Sequence, residues 1–234
     1  MLVLGVNTST DFLAISLINE KKILANYNST GRLKHSDLLI PGIEKVLKKS
    51  GRKIKDIGLF SVGLGPGSFT GLRIGITAMR ALAIALDKPI VGVPTLDAIA
   101  HNGFMFLKSR KLLDKYAKIC PLLDAKRKQV YACIYGHDGA KITRKTDYLL
   151  RPASRLINHL RGSILFLGDA IPLYKEKFLH KKSFKAYFLD GKIWLPKASI
   201  IARMALEEYN KGRSDNPYDL VPLYLYARDC QVKR

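Results

Sequence analysis

The residues Gly63-Leu64-Gly65-Pro66-Gly67-Ser68-Phe69-Thr70-Gly71-Leu72-Arg73 lie between an apolar run and a helical pattern. A strand, a glycine turn and a helix start present unpaired backbone amides, the physical recipe for gripping an anion. Gly65, Gly67, Ser68, Gly71 and Arg73 are therefore candidate binding residues. The run departs from both phosphate templates, however. It has no Gly-Lys-Ser/Thr ending, Thr70 stands where a third dinucleotide glycine belongs, and Pro66 removes one donor. The competing role is mechanical: small residues let the following helix sit close against a sheet. Both readings stay open at the level of sequence.

Two further turns carry polar groups. Asn7-Thr8-Ser9-Thr10 ends the first apolar run, and Asp124-Ala125-Lys126-Arg127-Lys128-Gln129 occupies a similar place in the second half. In sugar kinases, actin and Hsp70-type proteins the first of these turns carries an Asp that reaches toward phosphates and magnesium. Here the position is Asn7, a poorer ligand for a hard cation. Asp124 beside Lys126, Arg127 and Lys128 is a second phosphate candidate, set against a solvated basic hairpin. No two of the five histidines stand three or four residues apart, and no Gly-x-Ser-x-Gly elbow occurs. Zinc-hydrolase and elbow-serine chemistry are thus not indicated. His35-Ser36-Asp37 suggests a triad only by adjacency and is better explained by helix capping.

The elements that must position these turns follow from periodicity. Apolar runs at 2–6, 12–18 and 22–27 predict a three-stranded meander. A helix over 35–49 is predicted to be distorted by Pro41-Gly42. Further strands are predicted at 57–62 and 90–93, and helices at about 68–86 and 95–101. The second half repeats the order in degraded form. Strands are predicted at 118–123, 129–135, 140–149, 164–167 and 184–189, and helices at 152–160, 171–178 and 197–210. Three meander strands followed by alternating strands and helices predict mixed sheets with helices on their faces, an α/β fold. The lobe boundary is placed near His101-Asn102-Gly103. This gives an N-terminal lobe of 1–103 and a C-terminal lobe of 104–234 whose last segment packs back on the first. Between Leu72 and Leu86 only Arg73, Thr77 and Arg80 are clearly polar. A helix so apolar must be covered on more than one side, by its own domain and by either the 35–49 helix or a partner.

Composition bounds the function. With 47% hydrophobic and 25% charged residues, the 234-residue chain is of ordinary globular type. The net charge of +21 points to polyanionic partners or to basic background. Residues 104–234 hold 27 basic and 12 acidic side chains against 13 and 7 in residues 1–103, so the second half is the basic one. Lys126, Arg127 and Lys128 are its candidate RNA contacts. Cys120, Cys133 and Cys230 are dispersed and odd in number, which argues for a reducing compartment. The start of the chain reads as a strand and no segment is long enough to span a bilayer. The expectation is a cytoplasmic protein without membrane association.

Four motifs in order resemble the TsaB (YeaZ) family of tRNA threonylcarbamoyladenosine biosynthesis. They are Asn7-Thr8-Ser9-Thr10, His35-Ser36-Asp37-Leu38-Leu39, Gly65 through Gly75, and Asp124 through Tyr131, with Pro222-Leu223-Tyr224-Leu225-Tyr226 closing the chain. The resemblance implies two lobes of the actin/Hsp70/sugar-kinase type. It also implies a subunit that is not itself the catalyst. The catalytic paralogue TsaD carries paired metal-binding histidines, and the ATPase TsaE joins where the two meet. The partner face implied on the 35–49 and 70–86 helices is His35, Leu38, Leu39, Ile43, Leu72, Ile76, Met79, Arg80 and Ala83, which would also serve a homodimer of the free chain. No cofactor is expected beyond weak nucleotide binding at a vestigial site of Asn7, Thr8, Ser9, Thr10 and Asp124. Two residues depart from the family pattern: Asn7 stands for its Asp, and Lys128 for its Gly. The alternatives are a nucleotide-dependent actin-like ATPase or kinase and a basic RNA-binding module.

Overall fold

The computed structural model describes residues 1–30, 35–158, 160–189 and 191–226; Cys230 lies outside them. The described chain divides into two units, one of residues 1–98 and 196–223, the other of residues 99–195 and the final segment from 224.

In the first unit β1 (Val3–Asn7), β2 (Phe12–Ile18) and β3 (Ile23–Thr30) form the antiparallel meander. β4 (Leu59–Gly65) and β5 (Ile90–Pro94) add parallel to β1, giving the order β3-β2-β1-β4-β5. The continuous apolar reading of β1 has a direct cause, since both its faces are covered. Leu4 and Val6 join the core under α1 (His35–Ser50) and α2 (Phe69–Ala85). Val3 faces the opposite cluster, built on Ile201, Ala202 and Ala205 of the last helix, Ala198–Asn210. That helix packs on β1, β2, β4 and β5. The 197–210 helix assigned above to the second lobe therefore covers the first sheet. Gly5 admits it, because a Cβ there would meet the Ala202 side chain at 2.9 Å. α1 runs through Pro41, and Gly42 behind it is pressed against the Ile15 and Tyr27 side chains. That packing outweighs the single hydrogen bond a proline removes.

The chain crosses to the second unit within α3 (Thr95–Ser109), which is longer than the predicted 95–101 helix. His101-Asn102-Gly103, read as a break, are helical. The Asn102 amide donates to the carbonyls of Ile193 and Leu195, at 3.2 and 2.9 Å, and Gly103 lies against Leu167 and Ile119. A buried polar anchor and a close contact, not a linker, explain their types.

The second sheet repeats the first. β6 (Lys118–Asp124) is followed by β7 (Gln129–Ala132), β8 (Tyr135–His137), β9 (Ile142–Arg144), β10 (Leu149–Pro152), α4 (Ala153–Asn158), β11 (Gly162–Leu167), α5 (Ile171–Leu179) and β12 (Phe184–Phe188). Its main order is β10-β7-β6-β11-β12, with β11 and β12 parallel to β6 as β4 and β5 are to β1. The helix that completes the set, Ala198–Asn210, is α6. The strands predicted at 129–135 and 140–149 are each broken in two. At the break the Ile134 amide bonds the Thr146 hydroxyl at 3.1 Å, a side-chain acceptor replacing the ladder carbonyl. One face of this sheet holds a core of Phe166, Phe178, Phe184 and Phe188 under α4 and α5. Two mixed sheets with one strand order and helices on their faces constitute the α/β lobe pattern of the actin/Hsp70/sugar-kinase type.

Candidate functional site

The turn after β1 is closed. Asn7, Thr8 and Ser9 are 0–1% exposed. The Ser9 hydroxyl donates to Asn7 Oδ1 at 2.9 Å, and the Ser9 carbonyl accepts from the Ser68 amide at 2.7 Å. Thr10, at the rim, accepts from the Phe12 amide. What seals the turn is α2. A Cβ on Gly67, Gly71 or Gly75 would overlap the Ser9 carbonyl, the Thr8 carbonyl and the Thr8 hydroxyl respectively. The glycines are thus required by the close approach of a helix to a turn, the mechanical alternative raised by the sequence.

Several amides of the glycine-rich run are also engaged from within. Gly65 donates to the Thr95 hydroxyl at 3.1 Å, and Gly71 to the Ser68 hydroxyl at 3.3 Å, with Ser68 as the N-cap of α2. Arg73 is exposed and lies 3.9 Å over the Phe69 ring. Asn7 Nδ2 and Thr8 Oγ1 are buried without a hydrogen-bond partner among the described residues.

The equivalent turn after β6 is open. Asp124 accepts from the Lys126 amide at 2.9 Å and from its ammonium at 2.7 Å, while its own amide donates to Asp169 Oδ1. Lys126, Arg127 and Lys128 take φ values of +61°, +49° and +61°, three consecutive left-handed residues. The Tyr226 hydroxyl closes the turn by donating to the Ala125 carbonyl at 2.6 Å. Its ring stands 6.1 Å from that of Tyr131, whose phenol burial and the neighbouring tyrosine push up to about 12. Asn7–Thr10 lie in one unit and Asp124 in the other. Among the described residues no three His, Cys, Asp or Glu side chains gather as a metal site requires.

Most of the residues expected at a partner face are buried in their own unit. Leu39, Ile43, Leu72, Ile76, Met79 and Ala83 are 0–4% exposed and belong to the core of their own unit. His35 is buried, and that burial holds its imidazole below the ordinary value near 6.5, with Asp11 opposing the shift. Arg80 points along the unit as a clamp, donating to the carbonyls of Pro217, Tyr218 and Leu220. Leu38 alone of the remaining residues is half-open. The outward stripe of α2 is instead Thr70, Arg73, Thr77, Ala81 and Ile84, flanked by Ile74, Ala78 and Ala85. On α1, which packs beside it, Ile40 and Pro41 are exposed. The signal that marks this stripe was present in the sequence: Thr70, Arg73 and Thr77 recur at helical spacing on one side. An apolar helix with its few polar residues aligned has its outside there.

The family model described as tRNA N6-adenosine threonylcarbamoyltransferase, TsaD, matches residues 22–169. A tRNA threonylcarbamoyladenosine biosynthesis protein TsaB from Bacillus subtilis (strain 168) is 28% identical over 236 residues, covering 100% of this chain and 97% of that protein. Its counterpart from Escherichia coli (strain K12) is 28% identical, covering 96% and 94%. The structure of YeaZ from Pseudomonas aeruginosa superimposes with a TM-score of 0.80 at 23% identity, over 96% of this chain and 99% of that one. With a family model spanning well over half its length and TsaB proteins matching from end to end, the chain belongs to the tRNA N6-adenosine threonylcarbamoyltransferase family, within its TsaB (YeaZ) branch.

Proposed function

We propose that this chain is a non-catalytic subunit of the machinery that makes N6-threonylcarbamoyladenosine in tRNA. It pairs with the transferase TsaD through the outward side of α1 and α2, and TsaE joins at that junction. The names of the full-length relatives support the pathway. The observation that carries the pairing is the α2 stripe. Of the eight residues on and beside it, Arg73 alone is charged, and Ala78, Ala81 and Ala85 are small. A water-facing helix side is ordinarily polar, and small residues let a second helix approach closely. Ile84 and Ile40, 38% and 47% exposed, supply apolar area to bury. In the absence of the transferase the same face closes on a second copy of the chain. The chain's own contribution is positional, because its β1 turn is packed shut and the Gly65, Ser68 and Gly71 amides are engaged internally.

Light scattering on a sizing column tests the pairing, first with the chain alone and then mixed with TsaD of the same organism. The expected result is a homodimer that gives way to a one-to-one complex, with Ala81→Glu abolishing both while the circular dichroism spectrum is unchanged. Two independent peaks from the wild-type mixture would overturn the reading.

A further inference from the structure

The cations of the second unit are not spread evenly over it. The parallel strands β6, β11 and β12 all begin at one end of the sheet, in register at Lys118↔Ile164 and Ser163↔Lys185. The β8–β9 hairpin reaches the same end, because Gly136 pairs with Lys118. The segments that meet there are 108–118, 138–141, 160–163 and 180–185. Together they carry ten Lys or Arg and only two carboxylates, Asp114 and Asp138. Asp138 accepts from the amides of Ala140 and Lys141. None of the ten cations forms an ion pair with a carboxylate among the described residues. The opposite end, at 124–129, 151–155 and 168–170, holds five cations and two carboxylates, with Lys126 paired to Asp124.

The basic end is also stiff. Lys118 Nζ donates to the Arg161 carbonyl at 3.1 Å, and the Arg161 guanidinium donates to the carbonyls of Asn158 and Leu160. The Ser163 hydroxyl donates to the Lys115 carbonyl at 3.1 Å. Tyr116 and Tyr187 stand edge to face at 4.8 Å, with the Lys115 ammonium 5.7 and 6.0 Å from their centroids. Backbone carbonyls and rings orient these cations without neutralising them.

We propose that this end of the second sheet binds the phosphate backbone of folded RNA. Four neighbouring strand ends at the usual spacing span about 14 Å, too wide for one phosphate and suited to a run of them. A protein partner would need apolar area at the centre of its contact. No large exposed apolar side chain of the described residues falls within the four segments. The same absence disfavours insertion into a lipid surface, which takes an apolar helix face. The proposal relocates the RNA contact from Lys126, Arg127 and Lys128 to the other end of the sheet, and it concerns the chain alone, independent of any partner.

The test pairs two variants of equal charge loss: Lys181→Gln/Lys182→Gln/Lys185→Gln at the basic end, and Lys126→Gln/Arg127→Gln/Lys128→Gln at the β6 turn. Fluorescence anisotropy follows binding of an unmodified tRNA transcript and of an unrelated RNA stem-loop across a salt series. Both RNAs are expected to bind alike, since phosphates carry no sequence. The first variant is expected to lose about tenfold in affinity and to flatten the salt slope by about 3, one unit per lost contact. The second is expected to lose less than about threefold. Equal losses in both variants would overturn the placement. Absence of RNA binding by the wild-type chain, with or without binding to phosphatidylserine vesicles, would overturn the proposal outright. Thermal melts confirm that both variants are folded.

Discussion

The two units share a strand order and differ at its most chemically suggestive point. After β1 the turn lies under a helix, with Asn7, Thr8 and Ser9 almost fully buried. After β6 the topologically equivalent turn is open, with Lys126 72% exposed and three left-handed residues in succession. One fold thus holds its strand–turn position in two opposite states. What sets the difference is the helix beside it. α2 enters on Ser68, Gly71 and Gly75 and is thin enough to lie on the turn. The basic second unit, with 23 cations and 8 carboxylates in residues 99–195 and 224–234, leaves its turn to solvent. The lesson is that a glycine-rich strand-to-helix run reports close approach first; anion binding needs the additional finding that its amides are free.

The largest test of that comparison is to thicken α2. Gly75→Leu drives a side chain into the Thr8 hydroxyl and is expected to cost about 3 kcal/mol or more. Ala83→Glu, which places a carboxylate 1% exposed among Leu39, Ile43 and Met79, is expected to cost about 4 kcal/mol or more. Ala81→Glu, two residues earlier on the outward stripe, is expected to change stability by less than about 0.5 kcal/mol. Urea unfolding of the three variants separates core from surface on a single helix. A stable Ala83→Glu protein would refute the burial assigned to that side.

A middle-sized effect is expected at Arg80. Its guanidinium holds the returning segment through the carbonyls of Pro217, Tyr218 and Leu220, beside exposed Tyr218 and Val221. Arg80→Ala removes charge-assisted bonds in a half-buried site and is expected to cost about 2 kcal/mol. Faster proteolytic cleavage near Val221, with the far-ultraviolet spectrum retained, would identify local release of the segment as the cause. In the second unit Asn102 holds the carbonyls of Ile193 and Leu195 and not its edge strand β12, which is expected to exchange amide hydrogens faster than β5. The Asp215 carboxylate accepts from the Gly92 amide of β5 at 2.7 Å.

Much of this arrangement was legible in the residues. The meander and the alternating strands that follow define the sheet order, and their repetition in the second half is visible as element order alone. The outward side of α2 is readable from Thr70, Arg73 and Thr77, yet its apolar residues Leu72, Ile76, Met79 and Ala83, expected at a partner contact, are core. The ambiguity has a physical source: a core face and a helix–helix contact use the same small and apolar side chains. The return of α6 to the first sheet left no local mark, because Ile201, Ala202 and Ala205 fit any apolar surface. At the break between β7 and β8 the Ile134 amide bonds the Thr146 hydroxyl, a contact that periodicity does not register.

A smaller and pH-dependent effect is expected at His35, the first residue of α1. Burial lowers its pKa in the folded chain below the ordinary 6.5. The unfolded chain therefore takes up the proton first as the pH falls. The stability associated with neutral His35 is complete above 6.5 and declines as the pH drops toward the lowered value. The melting temperature is expected to fall over that interval in the wild type, and His35→Gln is expected to flatten the profile there. An unchanged slope would mean that the imidazole is solvated.

The smallest effect is expected at the open turn. A left-handed backbone costs a residue with a Cβ about 1 kcal/mol or more, and glycine avoids that cost while losing more conformational freedom on folding. Lys128, at φ +61°, occupies a backbone region that glycine enters without strain. Lys128→Gly relieves the strain and removes one of three adjacent cations, so a net gain of about 0.5 kcal/mol is expected. The same change at Gly75 in reverse, a side chain added to a packed helix, is destabilising by several times as much. The two substitutions together measure the contrast between the units, a turn with room to vary beside one that has none. A loss of stability in Lys128→Gly, read by urea midpoint, would show that the lysine side chain makes up for its backbone strain.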